Sequence, residues 1–191
     1  YGGELEVLLL LGYFVALFAA PPCSTVSVRR HIESEEVYAA RPLRTREDVF
    51  RPIVGRSRRE CDKVTIGSHL FLLSLRWASI MAAFGYWAAI ENPADPGSAP
   101  FPSFWHSTEV AESLVALGAS LCVFDQCTLG ATVKKATGLW LANGDPSRFS
   151  GRCVCRGAHR WDGVFEAKAP GKAKRTFASA KLARYPIPMV K

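Results

Sequence analysis

Pro21-Pro22-Cys23 closes one apolar run of this chain, and Glu91-Asn92-Pro93 closes another. A cysteine thiolate attacks electrophilic carbon, and a nearby carboxylate gives or takes the proton such an attack requires. A third apolar run ends at Asp125-Gln126-Cys127. Each of these residues also has an ordinary role. Cysteine is a frequent inert core residue, and Glu91 could cap a loop or pair with an arginine. Chemistry requires that the fold bring Cys23 and Glu91 together.

The elements that would do so follow from residue patterning. "LEVLLLL" (5–11) suits the end of a helix, and "YFVALFA" (13–19) suits a buried strand by its aromatic and β-branched content. A polar, Arg-rich connection follows, of the length that often forms a functional lid or binding loop. Ser57 with Glu60 three residues on forms a capping-box signature. It opens a helix running to about Phe84, with Gly85 as its stop. "YWAAIENP" reads as a buried strand, and "STEVAESLVALG" as a short amphipathic helix with Val110, Leu114 and Leu117 on one face. "ASLCVFD" and "TGLWLAN" read as two further strands joined by a short turn. Strands alternating with helices imply an α/β fold with a mostly parallel sheet and a terminal antiparallel hairpin. In such sheets ligands bind beyond the carboxyl ends of the strands, so the three strand ends would share one rim.

Composition bounds the function classes. At 49% hydrophobic and 21% charged residues, the 191-residue chain fits a globular core and excludes a disordered or disulfide-dense class. Six cysteines show no disulfide framework, which suggests a reducing, intracellular compartment. The net charge of +7 is unevenly placed: residues 152–191 hold ten Lys/Arg against two Asp/Glu, the rest fourteen against fifteen. Such a basic tail faces a polyanion, nucleic acid being the usual one, or simply water. The apolar start has a signal-like end at "AAPP". It carries Glu4 and Glu6 and no basic residue ahead of its core, against a targeting role. Arg76 in the middle of the second apolar block argues against a bilayer span. With no Met at position 1, the chain is expected to begin inside a longer protein.

Taken together, "APPCST", "AAIENP" and "FDQCTLGATVKKATGLWLAN" resemble the cytosine-5 DNA methyltransferases in order and approximate spacing over residues 13–143. They are also similar to a group of uncharacterised, often retroelement-associated eukaryotic proteins. The resemblance implies a partial Rossmann-like, class I methyltransferase sheet within a core of residues 1–145, followed by a basic Cys/His-containing extension, 146–191. It implies that Cys23 attacks C6 of a cytosine flipped out of the duplex. Glu91 would hold or protonate N3, Asn92 would fix that geometry, and S-adenosylmethionine would donate the methyl group. Implied partners are DNA or another nucleic acid, with no membrane, in an intracellular setting that includes the nucleus. The chain departs from the family pattern at Ser24, where glutamine is usual, and keeps one of three hairpin positions, Lys135 beside Val133 and Thr137. The cofactor-binding strand and its Gly-rich turn should precede Cys23, and Gly2-Gly3 does not supply them. A complete domain would be a methyltransferase. A non-catalytic, basic nucleic-acid-binding remnant of a mobile element is the alternative, and a membrane-anchored protein the third.

Lys134 and Lys135 are candidate phosphate contacts. Cys153, Cys155 and His159 are candidate zinc ligands, but zinc takes four ligands, usually as spaced pairs. Cys127, Cys122 or His106 could complete the set and the sequence places none of them, so no metal site is assigned. Trp77, Trp87 and Trp140 lie in apolar stretches and read as core.

Overall fold

The structure is a computed structural model. It describes residues 2–31, 41–131, 134–155, 164–169 and 172–177, the last two segments as backbone only. The chain divides into two compact units, Tyr1–Val123 with Thr137–Ser150, and Phe124–Ala136 with Gly151–Lys191.

The first unit is α/β. Helix α1 (Gly2–Leu10) leads to β1 (Ala16–Ala19), and the long connection leads to α2 (Arg58–Ala83). Then come β2 (Trp87–Pro93), α3 (Thr108–Leu117), β3 (Ser120–Asp125) and β4 (Ala136–Ala142). The expected elements are all present. Glu60 closes the start of α2, accepting hydrogen bonds from the Ser57 N–H at 3.0 Å and the Ser57 hydroxyl at 2.7 Å. Gly85 ends the helix at a φ of 78°, where its lack of a Cβ removes the usual penalty. The buried residues of α2, Val64, Gly67, Ser68, Phe71, Ser74, Leu75, Ala78 and Met81, recur every three or four positions and form one stripe. By length and composition alone α2 could also cross a membrane. Its Arg76 pairs with Glu6 of α1 at 2.5 Å.

The sheet order is β1-β2-β4-β3. β1 and β2 are parallel, with Ala19 opposite Ile90. β2 and β4 are antiparallel, with Glu91 opposite Leu139 and Asn92 opposite Gly138. The sheet is therefore mixed, with one parallel pair, rather than mostly parallel. Burial explains the order. Five consecutive residues of β2 and six of β4 are buried, as central strands covered on both faces must be. β3 alternates more and takes an outer place. By entering between β2 and β3, the return strand β4 converts would-be parallel neighbours into antiparallel ones. β1 also differs from expectation. It spans four residues, none of them fully buried, and is an edge strand rather than a buried one.

The core joins Phe71, Ala78 and Met81 of α2 to Ala88 and Ile90 of β2 and Trp140 and Ala142 of β4. Phe104 stacks on Phe71 with ring centroids 4.1 Å apart. The Trp140 indole N–H donates to the Ser113 hydroxyl at 3.0 Å, which confirms Trp140 as a core residue. Trp105 lies across β4 at Gly138 and donates its indole N–H to the Pro93 carbonyl at 2.7 Å. A Cβ at position 138 would meet the Trp105 ring, with Cε2 at 2.8 Å.

In the second unit a short 3-10 turn (Gln126–Leu129) follows Asp125, and β5 (Val164–Ala169) pairs antiparallel with β6 (Lys172–Phe177).

Gly138→Ala should cost about 1–3 kcal/mol through overpacking against Trp105. Chemical denaturation checks this. An unchanged midpoint would show that the indole is free to move aside.

Candidate active site

Cys23 and Glu91-Asn92 leave two neighbouring strands. Because β1 and β2 are parallel and in register, Pro21-Pro22-Cys23 and the end of β2 emerge on the same side of the sheet. Asn92 makes the link explicit. It is 1% exposed, and its Nδ2 donates to the Pro21 carbonyl at 3.2 Å. Glu91, one residue earlier, is 2% exposed, and Cys23 is half-buried against the edge of the core. Successive strand residues project to opposite faces, so Asn92 and Glu91 are suited to different tasks. Asn92 is committed to the Pro-Pro-Cys loop, which makes it a positioning residue. The sequence-predicted pair of strand ends is thus brought together within the first unit. The third strand end, Asp125-Gln126-Cys127, belongs to the second unit.

The loop carrying Cys23 is held from below by residues that sequence patterning did not single out. The Val26 N–H donates to the Cys23 carbonyl at 3.1 Å, closing a turn. Arg30 Nε donates to the Ser24 carbonyl at 2.5 Å and Arg30 Nη1 to the Arg41 carbonyl at 3.1 Å. Arg44 is wholly buried. Its Nε donates to Thr25 Oγ1 at 2.9 Å, its Nη1 to Ser68 Oγ at 2.7 Å and to the Val49 carbonyl, and its Nη2 to the Val64 carbonyl at 2.9 Å. All of these acceptors are neutral oxygens. Its Cζ also lies 4.9 Å from the centre of the Phe104 ring. Burial lowers the guanidinium to about 10, so it stays charged at neutral pH. Gly67 makes room for it. A Cβ there would sit 3.1 Å from Arg44 Nη2 and 3.7 Å from the Pro22 carbonyl.

The described part of the long connection therefore acts as a brace. Two more of its arginines fork onto carboxylates with two nitrogens each. Arg41 forks onto Glu60 at 2.9 and 2.5 Å and holds that carboxyl well below the usual range. Arg46 forks onto Asp95 at 2.6 and 2.8 Å and adds a bond to the Phe101 carbonyl at 3.1 Å. Arg41, Arg44 and Arg46 look alike in sequence, and only packing distinguishes the buried one.

The implied cofactor fares differently. Gly2 and Gly3 begin helix α1 rather than a turn that follows a strand, so they do not form the expected Gly-rich turn. Among the described residues no strand leads into a turn with closely spaced glycines. The described residues do not fit S-adenosylmethionine in the usual way. A shallow depression between α2 and α3, lined by Leu72, Leu75, Arg76, Glu109, Glu112 and Leu117, contains none of the candidate residues.

In the second unit Lys134 is exposed and Lys135 half-buried. The sulfurs of Cys127, Cys153 and Cys155 lie within 4.8 Å of one another. Burial first, then the neighbouring Cys153, pushes the Cys127 thiol up to about 11. His159 lies outside the described residues.

Asp95 lies four residues beyond Glu91, and the Arg46 hydrogen bonds hold its carboxyl below the ordinary aspartate value. A depressed folded-state value contributes stability above the unfolded-state value, and that stability is lost as pH falls through the folded one. Wild type should exceed Asp95→Asn by about 1 kcal/mol at neutral pH, and the gap should close below the ordinary aspartate range. Denaturation at stepped pH reads this, and a gap that widens in acid would contradict it.

No protein-family model and no curated protein matches this chain.

Proposed function

We propose that the first unit is the catalytic half of a cytosine-5 DNA methyltransferase-like domain, acting on cytosine in nucleic acid with Cys23 as nucleophile. The observation that carries this reading is the in-register parallel pair β1–β2, with Asn92 bonded to the Pro21 carbonyl. It sets the Pro-Pro-Cys loop beside the end of the strand bearing Glu91. The reversed strand β4 and its partner β3 supply the antiparallel hairpin that the family resemblance implies, and the partial Rossmann-like sheet belongs to the same reading.

The chemistry follows from these residues. A cytosine must leave the base stack before its C6 is reachable. The Cys23 thiolate then bonds to C6, and the C5–C6 π pair moves through the ring as Glu91 delivers a proton to N3. C5 becomes nucleophilic. Without a methyl donor it takes a proton from solvent. Loss of a C5 hydrogen, return of the N3 proton to the Glu91 carboxylate and expulsion of the thiolate from C6 then restore cytosine. The net result is exchange of the C5 hydrogen. S-adenosylmethionine, the methyl source implied by the resemblance, needs strands that the described residues do not provide. The open edge of β1 suits such strands: Val7, Leu10, Leu11, Tyr13 and Val15 around it are all more than half exposed. An intracellular, DNA-containing compartment is the setting this reading requires.

A second reading has its own support. With no cofactor cradle among the described residues and a basic hairpin carrying Lys168, Lys172, Lys174 and Arg175, the chain suits a non-catalytic nucleic-acid-binding module. The two readings separate in one experiment. With a cytosine oligonucleotide in deuterated water, wild type should exchange the C5 hydrogen and Cys23→Ser should not. Exchange that persists in Cys23→Ser, or none in wild type with binding intact, would sink the catalytic reading. Both readings place Lys134 near phosphate. Lys134→Ala should weaken binding across sequences and reduce the salt-dependence slope by about 1. An unchanged slope removes Lys134 from the interface.

A further inference from the structure

We propose that Cys127, Cys153 and Cys155 form a zinc site that clips the turn after Asp125 to the segment following Gly151. The thiols come from separate parts of the chain, and backbone contacts assemble them. The Asp125 N–H donates to the Gly151 carbonyl at 2.9 Å, and the Cys153 N–H donates to Asp125 Oδ2 at 2.8 Å. Gly151 lies against Thr128, where a Cβ would come within 2.8 Å of Oγ1. Thr128 Oγ1 in turn donates to the Asp125 carbonyl at 2.7 Å. These contacts fix Cys127, on the turn, opposite Cys153 and Cys155.

The geometry and the charge both suit a soft divalent cation. Ligands at about 2.3 Å from a tetrahedral zinc stand about 3.8 Å apart. Sulfurs already within 4.8 Å of one another need only a small inward movement. Asp125 is 3% exposed, and its Oδ1 is buried without a hydrogen bond among the described residues. A buried carboxylate oxygen without a donor among the described residues, two residues before Cys127, is an unmet acceptor whose charge a nearby cation relieves. Thiolates select zinc over hard cations, which favour oxygen ligands. Three sulfurs leave the fourth tetrahedral position to solvent or another ligand. Asp125, bonded to the Cys153 N–H, acts as a positioning residue.

The test uses the full chain, purified without chelator. Wild type should carry about one zinc per chain, and cobalt replacing it should give an intense thiolate-to-metal absorption band. Cys127→Ser and Cys155→Ser should each weaken binding by tenfold or more, and Cys61→Ser and Cys122→Ser should leave it unchanged. Alkylation mapping on wild type provides a readout that does not depend on the variants folding. Zinc should protect Cys127, Cys153 and Cys155 and leave Cys61 reactive. Absence of both zinc and the cobalt band, binding that survives intact in Cys127→Ser, or protection that does not include all three thiols would overturn the assignment.

Discussion

The first unit depends on a buried cation held, among the described residues, by neutral oxygens. Arg44 joins three pieces of chain that have no secondary-structure contact in common: Thr25 beyond Cys23, Val49 in the long connection, and Val64 with Ser68 on α2. Burying a guanidinium is costly unless its N–H groups are matched, and here neutral oxygens and the face of Phe104 match them. Each of those oxygens is buried too, so losing Arg44 would strand several acceptors at once. The helix accommodates this with a glycine at 67, a residue that an unconstrained helix interior disfavours by about 1 kcal/mol. A Cβ at that position would sit 3.1 Å from Arg44 Nη2, a tight contact that glycine avoids.

On this brace rests a division of labour at the rim. Parallel pairing carries the two strand ends to the same side, and Asn92 then locks one to the other. Trp105 caps the last carbonyl of β2, and it can do so because Gly138 leaves the facing position of β4 open. The result is a strand end whose backbone is held on both sides, with a buried carboxylate one residue before its anchoring amide. Rigid support of this kind is what a reactive group needs from its surroundings. The second unit solves a different problem. Its turn and its Gly151–Cys155 segment hold each other through main-chain bonds and a shared carboxylate, and they concentrate thiols in one place.

Much of this was legible in the residues. Ser57 and Glu60 announced α2, Gly85 marked its end, and the apolar runs of β2 and β4 were visible as strands. That the strand ends carrying Pro21 and Asn92 lie side by side followed from the apolar runs alone. Strand order was less legible, because apolar content shows that a strand is buried without showing between which neighbours it lies. The exposure of β1 was hidden for the same reason: Val15 and Phe18 read as core residues and lie at an open edge. Arg44 was not legible at all. Three arginines within six residues carry the same local signal, and only the tertiary fold buries one of them. Cys127 was one of three open partners for Cys153 and Cys155, and long-range main-chain bonds made the selection.

The central claim is that the braced Pro-Pro-Cys loop presents Cys23 as a nucleophile to a pyrimidine C6. The most direct measurement is covalent capture, using an oligonucleotide that carries a pyrimidin-2-one base, whose C6 accepts a thiolate without methyl transfer. Peptide mapping of the adduct should place the bond on Cys23, with no adduct in Cys23→Ser. Mapping to any of the other five cysteines, or no adduct while the oligonucleotide is bound, would contradict the account.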